Sequence, residues 1–328
     1  MLTDQHGREL RYLRFSVTDR CNLRCFYCQG MTKVVSHKDI LRYEDIEKLL
    51  VVAQRLGFKK VRLTGGEPFL RRNFFDFLER LSKKFSELDF RITTNGTLIN
   101  DDNLLSKLKA LGIKGLNVSL DTFSRDTFEK ITGKDLLHNV VDTIYMGLDL
   151  GLRIKVNVVA LKGINDQELK QFIDLACLFP VDVRFIEFMP IGDKTIWKKE
   201  YYWSAEDILK NIKEMVPLIP IEHGQNSGPA KIFEIKDGRG RIGVISPLSN
   251  HFCAECNRLR FTSQGRLRPC LFSDKEFNLL GLLRSPKITL ERLEKVITLI
   301  AQNKPMGFHL LKMYQNKVCS TTMVSIGG

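Results

Sequence analysis

Two sets of cysteines carry most of the chemical information in this sequence of 328 residues. In the first, Thr18-Asp-Arg-Cys21-Asn-Leu-Arg-Cys25-Phe-Tyr-Cys28, three cysteines are spaced by three and then two residues. They follow the alternating apolar and polar run Leu13 to Thr18, which reads as a strand, so they occupy the loop that leaves it. The second set, Cys253-Ala-Glu-Cys256 with Cys270, has the spacing C-x2-C-x13-C. Three thiolates are an informative number. A structural zinc site closes with four ligands, whereas an iron–sulfur cube held by three cysteines leaves one iron open to a reactant. A zinc knuckle with a distant fourth ligand remains the alternative for either set, and His251 or Cys319 could complete a tetrahedron at the second.

Cations surround the second set. Arg258 and Arg260 fall on one side of a short strand, and a turn at Ser263-Gln-Gly265 returns Arg266 and Arg268 alongside. Guanidinium groups beside an open iron suit a substrate that has phosphates and a ring nitrogen able to ligate metal.

The elements that must position these groups alternate strand and helix from Arg11 to Pro190, the pattern of βαβ units and a parallel sheet. Strands are predicted at 11–18, 59–66, 89–95, 115–121, 153–161 and 182–190. Tyr43 to Leu56 has helical spacing at Ile46, Leu49, Leu50 and Ala53, and Gly57, Gly112 and Gly151 stand where helices end. Six units are two short of a closed barrel, so the expected fold is α/β, an incomplete (βα)6 TIM-type barrel. The alternation stops at Pro190. The expected division is a partial barrel over 1–190 and, over 191–328, a C-terminal α+β region holding the second cysteine set. That region contains an aromatic segment, Trp197 to Trp203, a helix near 204–215 and strands at 231–235 and 241–246.

Read at period two, the barrel strands have a polar face: Arg14, Ser16, Thr18; Arg62, Thr64, Gly66; Thr93, Asn95; Asn117, Ser119, Asp121; Lys155, Asn157; Glu187, Met189. Helices cover the apolar side of such a sheet, which leaves the polar side to line the lumen. Arg14, Arg62 and Lys155 would converge there with Asp121 and Glu187 as internal partners. Unpaired buried cations cost several kcal/mol each, so the surplus implies an anionic ligand.

Composition sets wider limits. With 43% hydrophobic residues a sizeable core can form. The net charge of +13 suits anionic partners, but basic residues are scattered and no RNA motif stands out, which disfavours nucleic acid. Met1 to Leu10 mixes charges without a signal-length apolar run, and no stretch approaches a membrane span. A cytoplasmic protein is expected, in which cysteines serve as metal ligands rather than disulfides.

Several motifs carry a family resemblance. The first cysteine loop, with Tyr27 before its last cysteine, resembles the signature of the radical S-adenosylmethionine (SAM) enzymes. Thr64-Gly65-Gly66-Glu67-Pro68 resembles their GGEP motif, which implies a SAM site at Gly66, Glu67, Ser119 and Met189 with Tyr27 near the adenine. Together with Thr93 to Gly96, Asn117 to Asp121, Lys155 to Val159, Arg184 to Pro190, the second cysteine set and the terminal Gly327-Gly328, the whole chain resembles the GTP 3′,8-cyclase family of molybdenum cofactor biosynthesis. That resemblance implies two [4Fe-4S] clusters, at Cys21, Cys25 and Cys28 and at Cys253, Cys256 and Cys270. It implies a 5′-deoxyadenosyl radical that takes the ribose 3′ hydrogen of GTP, after which the carbon radical attacks guanine carbon-8. Arg14, Arg62, Thr93, Lys155, Arg258, Leu259 and Arg260 take the GTP-contacting places, the second cluster meets the guanine, and the Gly-Gly tail reaches the active site. A chain end by itself reads as disordered. The implied partners are a reductant protein and a downstream cyclic pyranopterin monophosphate synthase, with a homodimer among the open assembly states. Residues 29–33, Gln-Gly-Met-Thr-Lys, depart from the Met-Pro common there. Cys177 reads as core and Cys319 is unassigned. A peptide maturase with an auxiliary cluster and a zinc-containing nucleic-acid-binding module are the competing readings.

Overall fold

The computed structural model describes residues 1–28, 35–192, 197–222, 224, 228–313, 319 and 321–327. The segment 29–33 and Gly328 therefore lie outside the described residues. Strands β1 (Tyr12–Ser16), β2 (Lys60–Thr64), β3 (Asp89–Thr94), β4 (Gly115–Ser119), β5 (Ile154–Ala160) and β6 (Asp182–Glu187) run parallel in chain order. Between them lie α1 (Tyr43–Arg55), α2 (Phe74–Lys84), α3 (Asp102–Ala110), α4 (Arg125–Thr132), α5 (Leu137–Asp149) and α6 (Leu169–Leu178). The apolar strand positions, such as Leu13, Val61, Ile92, Val118, Val156 and Val183, are buried under these helices. Each such side chain contributes roughly 1.5–3 kcal/mol, which holds the helices outside and turns the other strand face inward. Local signals set the helix ends. Asp101 caps α3 by accepting from Asn103 and Leu104 N–H, and Gly57, Gly112 and Gly151 adopt φ of +87°, +71° and +72° just past their helices.

Beyond residue 190 come α7 (Ala205–Met215), β7 (Leu218–Ile221), β8 (Lys231–Ile235), β9 (Arg241–Ile245), β10 (Arg258–Phe261), β11 (Arg266–Arg268), β12 (Phe277–Asn278), α8 (Leu280–Arg284), α9 (Leu290–Gln302), α10 (Gly307–Met313) and α11 (Met323–Ile326). Their strands extend the barrel sheet at both edges, in the order β12-β11-β10-β1-β2-β3-β4-β5-β6-β9-β8-β7. β10 pairs parallel with β1 and β9 parallel with β6. The outer strands turn antiparallel, and β9 and β10 are not neighbours, so the barrel stays incomplete as expected. Among the described residues no helix is long and apolar enough to cross a membrane.

Candidate functional site

The first cysteine loop is built against its neighbours through backbone contacts. Gly66 N–H donates to Thr18 C=O at 2.7 Å and Glu67 N–H to Arg20 C=O at 2.8 Å. A Cβ on Gly65 would lie 2.4 Å from Thr18 O, and one on Gly66 would lie 2.2 Å from Arg20 O. The paired glycines are thus required by the close approach of two protein segments, whatever a ligand adds. Below the loop, Phe26, Tyr27, Phe188, Trp197 and Tyr201 pack together, and Trp197 Nε1 donates to Phe188 C=O at 3.0 Å. That is the place of the aromatic segment in the fold.

A cavity of about 210 Å³ opens over this loop, lined by Cys21, Cys25, Cys28 and by Tyr27, Gly66, Ser119 and Met189 of the expected SAM set. Tyr27 OH donates to Asp121, whose other oxygen accepts Val159 N–H at 2.8 Å. Glu67 is held by the protein itself. It is fully buried, and its carboxylate accepts Phe69 N–H, Thr94 Oγ1 and Asn95 N–H at 3.1, 2.9 and 2.7 Å. It therefore locks the β3 end to the GGEP turn, and Gly66 rather than the Glu67 side chain lines the cavity. Burial pushes its carboxyl up to about 7 against those three donors.

Asn157 and Ile186 connect this cavity to a second one of about 520 Å³, lined by Arg14, Arg62, Arg91, Lys155 and Arg184 among others. The sheet register explains the concentration of charge. Arg260, Arg14, Arg62 and Arg91 are successive partners on β10, β1, β2 and β3, and Asn117, Lys155, Asp182 and Arg241 on β4, β5, β6 and β9. Each row lies across the barrel at one height. Arg62 donates to Tyr12 OH at 2.5 Å and to Thr93 Oγ1 at 3.2 Å, which brings Thr93 into the set. Burial, with Arg62 and Arg258 adding repulsion, lowers Arg14 to about 10, and burial with Arg62 nearby lowers Arg184 to about 9. Burial and the guanidiniums of Arg184, Arg153, Arg241 and Arg91 likewise hold the Lys155 ammonium below its ordinary range. Among buried atoms without a hydrogen-bond partner, the donor Arg184 Nε fits an anionic ligand, whereas the acceptors Asn117 Oδ1 and Asn157 Oδ1 fit ligand donors such as hydroxyl or amino groups.

The expected internal counter-ions are corrected here. Lys155 pairs with Asp182, which also takes Arg241 Nε at 2.7 Å and Arg184 at 3.7 Å. Glu187 instead accepts Ala205, Leu248 and Ser249 N–H at 2.9, 2.8 and 3.1 Å, because β6 turns its 182, 184 and 186 positions inward. Lys60, Arg91, Arg153, Arg184 and Arg241 were not singled out from the sequence. Arg91 and Arg184 could have been found by continuing period two backwards from Thr93 and from the correct parity of β6.

The second cysteine set meets the cation row through β10. Arg258 Nη2 lies 3.6 Å from Cys256 Sγ, and its guanidinium covers the Phe252 ring at 4.9 Å. Leu259 points the other way, fully buried against the core, so only its backbone can reach a ligand. Cys253 and Cys256 precede β10 and Cys270 follows β11. A Cβ on Gly307 would sit 2.8 Å from Cys270 Sγ and 3.6 Å from Cys253 Sγ, so the three approach one place beneath α10. Burial opposes ionisation of Cys256, yet Arg258 and Lys304 bring it down to about 5. His251 Nδ1 bonds Pro247 C=O at 2.8 Å and Cys319 Sγ accepts Arg268 Nη2 at 2.6 Å, so each former zinc candidate has another partner. Among the described residues no three His, Cys, Asp or Glu groups close on a point a single ion would fill. Sets composed only of thiolates fit iron–sulfur clusters, where each sulfur takes its own iron.

The C-terminal tail completes the site. Met323 and Val324 line the first cavity, and Gly327 C=O accepts Arg14 Nη2 at 3.0 Å and Arg260 Nη1 at 3.3 Å. Gly327 has φ +69°, and a Cβ there would fall 2.4 Å from Thr64 Cγ2. Cys177 lies on α6 beside the core, away from the lumen.

Comparisons with known proteins agree with this layout. The family model described as Radical SAM superfamily matches residues 15–176, and that described as Molybdenum Cofactor Synthesis C matches 181–310. The GTP 3′,8-cyclase of Thermodesulfovibrio yellowstonii is 42% identical over 311 residues, 93% of this chain and 95% of the relative. That of Syntrophomonas wolfei is 40% identical over 94% of this chain and 95% of its own, and that of Clostridium botulinum 39% over the full length of both. Streptococcus suis SuiB, in a crystal structure bound to S-adenosylmethionine, superposes with a TM-score of 0.66 at 14% identity over 95% of this chain and 72% of its own, a likeness of fold.

Proposed function

This chain belongs to the GTP 3′,8-cyclase family, and from that premise we propose that it cyclises GTP to (8S)-3′,8-cyclo-7,8-dihydroguanosine 5′-triphosphate, the first step of molybdenum cofactor biosynthesis. The observation that carries the reading is the cation row Arg260, Arg14, Arg62 and Arg91, which starts beside the second cysteine set and crosses the lumen that also opens on the first. When bound at Cys21, Cys25 and Cys28, a [4Fe-4S] cluster and SAM supply a 5′-deoxyadenosyl radical.

The protein's own work is position and charge. Tyr27, Gly66, Ser119 and Met189 line the space for SAM, and Glu67 acts by holding the turn. Arg14, Arg62, Lys155, Arg258 and Arg260 hold the triphosphate with charge-assisted bonds, with Thr93 and the Leu259 backbone at its flank. Cys253, Cys256 and Cys270 would hold a second [4Fe-4S] cluster, which would supply an iron without a protein ligand for the base. Residues 1–190 and 191–328 divide the labour, the first generating the radical and the second selecting what meets it. Gly327 and Gly328 assist from the tail, where the Gly327 carbonyl bridges Arg14 and Arg260 and orients the two guanidiniums. The product is passed to cyclic pyranopterin monophosphate synthase, and electrons come from a reductant protein.

Anaerobic iron and sulfide analysis with product mass measurement tests the proposal. About eight irons per chain and, formed only with SAM and reductant, a product isomeric with GTP and separated from it by chromatography before mass measurement are expected; four irons with zinc would sink the two-cluster reading.

A further inference from the structure

The first ten residues have no part in the site described above, yet they hold a buried ion pair. Thr3 bridges Glu9 in a hairpin that turns at Gly7, with φ +74°. Inside it Asp4 and Arg8 are each only 6% exposed and pair at 2.7 Å. Asp4 Oδ1 also accepts the backbone N–H of His6 and Arg8, at 2.9 and 3.1 Å, which fixes the carboxylate. The remaining Arg8 donors reach across 245 to 297 positions of sequence: Nη1 to Cys253 C=O at 2.7 Å, and Nη2 to Lys304 and Pro305 C=O at 2.9 and 3.2 Å. Lys304, itself buried, donates Nζ to Pro269 C=O at 2.5 Å, the residue before Cys270. Two residues after Pro305 stands Gly307, which covers the Cys270 and Cys253 sulfurs.

One guanidinium therefore ties the segment of Cys253 to the segment that covers it, and Lys304 ties that to the segment of Cys270. Burying an arginine against backbone carbonyls costs more desolvation than an apolar side chain would, so packing alone does not call for it. Its planar fork does what an apolar group cannot, because it fixes directions as well as distances. We propose that Arg8, oriented by Asp4, is a positioning residue for the second iron–sulfur site, so that cluster assembly at Cys253, Cys256 and Cys270 depends on the N-terminal hairpin while assembly at Cys21, Cys25 and Cys28 does not. The inference rests on the two-cluster reading above.

The test compares full-length wild type, Arg8→Lys, Arg8→Ala and Asp4→Asn after anaerobic reconstitution, reading iron and sulfide per chain, the electron paramagnetic resonance of the reduced clusters, and SAM cleavage without GTP. Arg8→Ala is expected to fall from about eight irons to about four and to lose one of two reduced-cluster signals, with SAM cleavage retained. Arg8→Lys, which preserves charge and guards against simple misfolding, is expected to lie between, since an ammonium cannot span the same acceptors. Eight irons in every variant would overturn the proposal alone. Joint loss of both clusters in the Lys and Ala variants would make Arg8 a general folding residue and overturn it as well. Four irons in the wild type would overturn the two-cluster reading and the proposal with it.

Discussion

Burial pushes all three thiols of the first set up, Cys28 to about 12, with Asp121 and neighbouring thiols adding to it at Cys25 and Cys28 and Glu67 adding to it at Cys21. Cys256 is also buried, yet Arg258 and Lys304 hold it at about 5. At Cys256 a thiol thus meets cations where Cys25 and Cys28 meet a carboxylate, while burial and the neighbouring thiols push Cys253 up like the first set. The difference matters because a cofactor bearing an ammonium and a sulfonium suits the first surrounding, and a nucleotide triphosphate suits the second. A shared lumen with opposed ends brings two ligands of unlike charge together without exchanging their places.

The largest expected effect separates the two ends by deletion. Cys21→Ala is expected to abolish 5′-deoxyadenosine formation and cyclisation together, whereas Cys253→Ala is expected to abolish cyclisation while SAM cleavage persists. Equal loss of cleavage in both would break the comparison. Next comes the tail that lies between the ends. Gly327→Ala is expected to lower the cyclisation rate on the order of 10²-fold, the scale of an ångström-level misplacement, because its Cβ meets Thr64 and its φ is left-handed. SAM affinity and melting temperature should change little, and a fully active variant would release the tail from the site.

Arg258→Ala sharpens the cationic end. Loss of a charged hydrogen bond of about 1.5–3 kcal/mol is expected to weaken GTP binding by about 10- to 100-fold with SAM binding unchanged. Anaerobic calorimetry with each ligand separates these outcomes.

The smallest effect is one of pH. Burial, then repulsion from Arg91, lowers Lys60 to about 8, and Tyr12, though burial opposes it, is drawn down to about 7 by Arg62 and Arg14. Both titrate the same way: as pH rises the ammonium is lost and a phenolate forms. GTP affinity is therefore expected to fall several-fold between about pH 7 and 9. The sign for stability is the reverse at Lys60. Its folded value lies below the unfolded one, so the unfolded chain binds more protons between about 8 and 10.5 and stability from this group rises with pH. Lys60→Arg is expected to flatten the upper part of the binding profile, and an unchanged slope would remove Lys60 from the anion site.

Much of this was legible in the sequence because the signals are local. Period two separated Arg14, Arg62 and Lys155 from the apolar strand face, and glycines after α1, α3 and α5 marked where helices end. Local signals also misled. Glu187 looked available to the lumen cations, but its oxygens are taken by backbone N–H groups, and sequence spacing does not reveal which donors will surround a carboxylate. Leu259 shares a tripeptide with two arginines yet faces the core, as strand alternation requires.

The amino-acid order by itself determined the two thiolate sets, the six repeating units and the polar strand face, since each depends on spacing within a few residues. Only the tertiary structure decided that β10 lies beside β1 and so lines up Arg260, Arg14, Arg62 and Arg91, that Asp182 answers Lys155, and that Gly327 ends between two guanidiniums. Most of these are pairings between segments far apart in the chain. Their registers are set by burial and by backbone hydrogen bonds formed on folding, and no local pattern encodes them.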